Sequence, residues 1–205
     1  MIEDIIHYTP VSSLLFVFTI AVSLYGIYGD QRANRELMLH PYSIQRGRKY
    51  FTILTSGFIH ADMNHLLFNM LSYYFFAFTL EKIVGHWQFA LIYILGLILS
   101  DISSILKNKN NPGYFSLGAS GAISAVLFSY ILFDPLSKIY IFFIPIGIPA
   151  YLFALLYLGY CMYASKNQGD HINHESHFWG AIAGLVITSL LFPHVLGCFI
   201  NSVLG

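Results

Sequence analysis

The sequence predicts an all-α membrane protein, a six-transmembrane-helix bundle whose short fourth helix starts at membrane depth. Three observations predict it. Of the 205 residues 57% are hydrophobic and only 10% charged, and the mean hydropathy is +0.65, outside the usual range of soluble domains. The apolar residues gather into six runs, about 10–28, 63–80, 87–106, 120–133, 139–164 and 177–196. The fourth run, at helical rise, extends about 21 Å and is too short to cross a hydrocarbon core of about 30 Å alone.

The elements follow in order. Pro10 to Tyr28 has the length of a first span; Glu3 and Asp4 stand before it in place of a basic leader, so it is expected to be retained. The connection Gly29–Tyr50 carries Arg32, Arg35, Arg46, Arg48 and Lys49 and is too long for a plain connector. It is expected to hold structure of its own, with Phe51–Ile59 dipping towards the membrane. The second span ends at Glu81-Lys82 and Gly85, and the third lies between Trp87 and Lys107. A Gly/Pro/Asn-rich loop, Asn108–Tyr114, leads to the fourth run, which Asp134-Pro135 stops. Pro145 and Pro149 are expected to bend the fifth span, and the polar loop Ser165–Asn173, carrying Gly169, precedes the sixth. With no internal repeat, residues 1–205 read as one transmembrane domain.

Composition also excludes partners. Ten basic residues balance ten acidic ones, so nothing suggests a nucleic-acid partner. Cys161 and Cys198 both lie in apolar runs and build no disulfide framework or zinc pattern, and no metal or other cofactor is expected. No HExxH occurs, and Asp101, Asp134 and Asp170 read as lying at helix ends or in loops, against an aspartyl protease.

Polar side chains in apolar runs mark functional sites. Leu117-Gly118-Ala119-Ser120-Gly121-Ala122 places Ser120 where a helix begins, among backbone N–H groups that favour developing negative charge. Alone, such a serine is better explained as an N-cap. An irregular loop at membrane depth must line a water-filled cavity, which would put Ser120 in reach of water. A second group holds His60, His65 and Asn69; His65 and Asn69, four apart, share a helix face. In the third, His177 opens a face continued by Gly180, Ala181 and Gly184, and the GxxxG pair permits close backbone approach. Gly121, Ala122 and Ala125 offer a matching surface. If the two surfaces meet, His177 comes within general-base reach of Ser120. His174 is a rival base, expected in the loop.

These blocks, in this order and on these spans, resemble the rhomboid family of intramembrane serine proteases, as does Glu81-Lys82. The resemblance implies a dyad: Ser120 attacks the scissile carbonyl, and His177 takes its proton and returns it to the leaving amine. It implies an oxyanion hole of the Ser120 backbone N–H, His60 and Asn69, with His65, Gly118, Gly121, Gly180 and Gly184 supporting. The implied substrates are membrane proteins cleaved in or beside their spans, within the lipid bilayer, and the expected setting is a bacterial inner membrane. Loop Ser165–Asn173 is the expected cap over the cavity.

Three features depart from the family pattern. Phe51-Thr52 replaces a Trp-Arg pair in the first loop. Ser124 stands where an aromatic four residues after the nucleophile often stacks on the histidine. Eight of ten Lys/Arg fall in the first, third and fifth connections, a bias against the family's cytoplasmic termini; the family orientation is kept as the expectation, because the long first connection reads as membrane-associated, where the charge rule loses force. The alternatives are a non-proteolytic rhomboid-like protein that binds membrane clients, and a small transporter; both dyad residues speak against the first, and the missing repeat against the second.

Overall fold

A computed structural model describes residues 7–141, 145–167 and 172–205. Helix α1 (Pro10–Leu24) starts on a proline, whose missing N–H is no loss in a first turn, and runs on into one π-helical turn, Tyr25–Gly29. The first connection folds into α2 (Gln31–Leu37), α3 (Pro41–Ile44) and α4 (Thr52–Thr55), followed by a 3-10 turn, Ser56–Phe58. Asp62 then caps α5 (Met63–Val84), and Gly85, at φ 90°, turns the chain into α6 (His86–Asn108). After the loop comes α7 (Ser120–Phe133).

The expected fifth run, 139–164, divides. Its first part is an antiparallel ribbon of β1 (Lys138–Tyr140) and β2 (Gly147–Pro149), and only then does α8 (Ala150–Asn167) begin. Pro145 and Pro149 therefore do not bend a helix; they precede it, because proline lacks the N–H and clashes with the turn before it. Helix α9 (His174–Leu191) starts three residues earlier than expected, ends at Leu191, and turns by 112° into α10 (Val195–Leu204). Of the expected cap loop, residues 168–171 lie outside the described residues.

Among the described residues, α1 with its π-turn and α6 are long and apolar enough to cross a membrane, and the bent pair α9–α10 makes a third candidate if it is one span. The chain is a mostly helical membrane protein. Helix α7 forms its centre: every residue from Gly121 to Ser129 is buried, as befits a helix apolar all round, and it packs against α5, α6 and α9. Small residues set these contacts. A side chain at Gly96 of α6 would run into the Ala125 methyl, and side chains at Gly180 and Gly184 of α9 would run into the carbonyls of Gly121 and Ala125. Gly121 meets Gly180 and Ala125 meets Gly184, so α7 and α9 run parallel. Further along, Thr188 donates to Ser129 at 2.7 Å and Ser129 donates to the Ala125 carbonyl at 2.8 Å, a polar seam of the kind that joins helices where no water competes.

The far end is tied by Glu81, 1% exposed, which accepts from the backbone N–H groups of Val11 (3.1 Å) and Ser12 (2.7 Å) and from the Ser12 hydroxyl, with His86 Nδ1 2.7 Å away. The carboxylate thus occupies orphan donors in the first turn of α1.

Candidate active site

Ser120 is the first residue of α7 and is half-buried; Ala119, the N-cap, offers no side-chain cap. The loop before it is pinned. Gly118 N–H donates to the Ser56 carbonyl at 2.9 Å, and Leu39 and Ser116 pair through both backbone groups at 2.9 and 3.2 Å. With Thr55 Oγ1 donating to the Leu37 carbonyl at 2.9 Å, these bonds anchor the first connection where Phe51-Thr52 departs from the family pattern. Gly118 adopts φ +117°, and a side chain there would also strike the His65 ring, whose Cε1 and Nε2 lie 2.8 Å from the Cβ position.

His60 is fully buried, in the turn before α5. The Ala119 N–H donates to its Nε2 at 3.5 Å, which leaves the ring proton on Nδ1, directed to Ser23 Oγ at 2.8 Å; that hydroxyl donates to the Phe58 carbonyl at 3.0 Å. The chain of bonds assigns the tautomer and leaves His60 no donor for a substrate. In this arrangement His60 contacts the backbone just before Ser120. His65 is half-buried, edge-on to His60 with centroids 4.8 Å apart, and faces Gly118. Asn69, 8% exposed, donates to the His65 carbonyl at 2.9 Å and keeps a second amide hydrogen.

His177 lies one turn before Gly180 on α9. Since Gly180 abuts Gly121, the face that carries His177 is turned to the stretch that begins with Ser120. Asn173 fixes the start of this helix: its Oδ1 accepts from Ser176 N–H at 3.1 Å and its Nδ2 donates to Ser104 Oγ at 2.9 Å. The Tyr157 ring of α8 lies nearly parallel to His177, centroids 6.4 Å apart and 20° between planes, and its hydroxyl is 2.9 Å from Ser124 Oγ. Sequence reasoning missed Tyr157; Ser124 in place of an aromatic was the signal that a ring had to come from elsewhere. His174, expected in the loop, is instead the first residue of α9, buried and edge-on to His177 at 6.0 Å. Asp101 lies well inside α6, not at its end, and is buried; Ser176 Oγ donates to it at 3.4 Å, so its partner is a serine rather than a second aspartate.

Residues 47–194, most of the chain, match the family model of the Rhomboid domain. The chain belongs to the rhomboid family. It is 24% identical over 179 residues to the mitochondrial RHOMBOID-like protein 12 of Arabidopsis thaliana, a match covering 80% of this chain and 52% of that protein. It is 25% identical over 152 residues to the rhomboid protease GlpG of Haemophilus influenzae, covering 73% of this chain and 74% of that one. The rhomboid protease GluP of Bacillus subtilis is 28% identical over 151 residues, 74% of this chain and 28% of GluP. This rhomboid thus spans about half the length of its Arabidopsis relative. It is an integral membrane protein of a family with protease-named members.

Proposed function

We propose that this rhomboid is an intramembrane serine endopeptidase that hydrolyses peptide bonds in or beside the spans of other membrane proteins, through Ser120 and His177. The seating of Gly180 on the Gly121 carbonyl carries the reading, because it leaves no side chain between the helix that bears His177 and the start of the helix that bears Ser120. Ser120 Oγ attacks the scissile carbonyl while His177 takes its proton; the protonated imidazole then gives that proton to the departing amine. Water, activated by the same imidazole, releases the acyl group. Negative charge on the carbonyl oxygen develops beside the free N–H groups of the first turn of α7. We assign the side-chain donors to His65, which faces Gly118, and Asn69, in place of His60. Tyr157 holds the imidazole from α8.

We read six crossings, by α1, α5, α6, α7, α8 and α9, in one domain, with α7 enclosed by the others so that its short length is tolerated. The proposed setting is a bacterial inner membrane, since GlpG is matched over 74% of its length and the mitochondrial relative over 52%. Substrates are spans that leave the helical form easily, because a peptide bond locked in a helix cannot lie in a cleft. Co-reconstitution with single-span proteins carrying helix-breaking residues tests the reading: wild type cleaves, and folded Ser120→Ala and His177→Ala do not. Cleavage that persists in Ser120→Ala would end it.

A further inference from the structure

Helix α8 turns most of its surface outward, and Ala150 and Cys161 are its buried residues. Cys161, 1% exposed between the exposed Tyr160 and Met162, points at the start of α9. Its sulfur and one ring nitrogen each of His174 and His177 all lie within 4.8 Å of one another. A thiol and two imidazoles are ligands of borderline-soft cations and ill-suited to magnesium or calcium. Zinc bonds of about 2.0–2.3 Å in a tetrahedral centre set ligand atoms about 3.5 Å apart, so the three donors need close by only about an ångström. Two of them lie one helical turn apart on α9, which fixes their spacing.

We propose that Cys161, His174 and His177 form a site for Zn²⁺, and that its occupancy reversibly switches the protease off. The site stands on its own; the switching rests on the proposed role of His177. On binding, the Cys161 S–H bond breaks, its proton leaves to water and a sulfur–zinc bond forms, with no change of oxidation state. Water completes the fourth position. If zinc takes the His177 nitrogen that faces Ser120, the lone pair needed for the serine proton is gone. If it takes the other nitrogen, the proton is confined to the nitrogen facing Ser120, which then donates instead of accepting.

Cobalt(II) titration of the purified full chain reports the site without activity, through a thiolate-to-cobalt charge-transfer band; fluorophosphonate labelling of Ser120 with and without Zn²⁺ reports the switch. The band is expected in wild type, Ser120→Ala and Cys198→Ser, and absent from Cys161→Ala and from Cys161→Ser, which keeps the side-chain volume. Zinc is expected to suppress wild-type labelling, a chelator to restore it, and Cys161→Ser to need about tenfold more zinc or greater. No band in wild type, or the same band in both Cys161 variants, overturns the site. Labelling that zinc leaves untouched, with the band present, overturns the switch. Failure of the protease reading shows differently, as wild type that never labels even in chelator.

Discussion

The Tyr157 ring lies beside His177, 20° from parallel and 6.4 Å between centroids, while its hydroxyl is 2.9 Å from Ser124. The pair reconciles a departure visible in the sequence: the position four residues after Ser120 has lost its ring, and the small serine left there anchors a ring from another helix. Phe128 and Phe153 tilt onto Tyr157 from either helix, centroids 5.6 Å away in each case, and hold it in place.

Removing this ring should cost turnover rather than substrate binding. An aromatic pair contributes about 0.5–1.5 kcal/mol beyond burial, so Tyr157→Leu is expected to lower kcat roughly two- to tenfold with KM little changed. Tyr157→Phe, which keeps the ring and gives up the bond to Ser124, should fall between the two. Steady-state kinetics on a transmembrane substrate decides it; equal rates for all three would show that the ring holds nothing.

The two histidines before and within α5 should separate cleanly. His65→Ala removes a proposed oxyanion donor and is expected to lower kcat by about 10²–10³. His60→Ala leaves the Ala119 N–H without its acceptor and takes one of two partners from the Ser23 hydroxyl, and should cost about 1–3 kcal/mol of stability. Kinetics beside thermal unfolding in detergent tests both, and the opposite assignment of effects would return the oxyanion role to His60.

His60 also predicts a pH dependence of stability. Burial, reinforced by neighbouring His65 and opposed weakly by Asp62, pushes its imidazole down to about 3. In the unfolded chain it takes up a proton below about 6.5. Between those values the unfolded state binds the extra proton, so the stability His60 confers is complete above about pH 6.5 and lost as the pH falls through that window. Melting temperature measured between about pH 7 and 5 should fall more steeply in wild type than in His60→Gln; equal slopes would contradict a neutral, buried His60.

Glycines give an internal contrast. Gly180→Ala drives a methyl into the Gly121 carbonyl, and such overpacking typically costs about 1–3 kcal/mol; Gly159→Ala meets nothing within 4 Å. Thermal unfolding should register the first substitution as destabilising and the second as neutral or slightly stabilising. A neutral Gly180→Ala would mean that α7 and α9 do not touch there.

Much of this architecture is legible in the sequence where one residue type has a single physical use. Gly180 and Gly184 mark a face for close approach, and that face meets Gly121 and Ala125. Helix α7 starts at Ser120 and stops before Asp134-Pro135 because small residues and a proline bound it. The ribbon of 138–140 and 147–149 is not legible as such: the apolar residues of this stretch pass for a span, and only the weight given to Pro145, Gly147 and Pro149 tells a helix from a strand pair. Spacing alone cannot rank His60 against His65, since both precede Asn69; the proposed assignment to His65 draws on the burial of His60 and its contact with the Ala119 N–H, neither of which spacing shows. Tyr157 and Cys161 belong to α8 and act across to α9, a pairing between helices that no periodicity within one helix reveals.

Ser120 and His177 are proposed to work as nucleophile and base. Labelling of detergent-purified protein by a fluorophosphonate tests this most directly. Labelled wild type, no label on Ser120→Ala and strongly suppressed label on His177→Ala are expected. Folded wild type that takes no label, or undiminished labelling of His177→Ala, would contradict it.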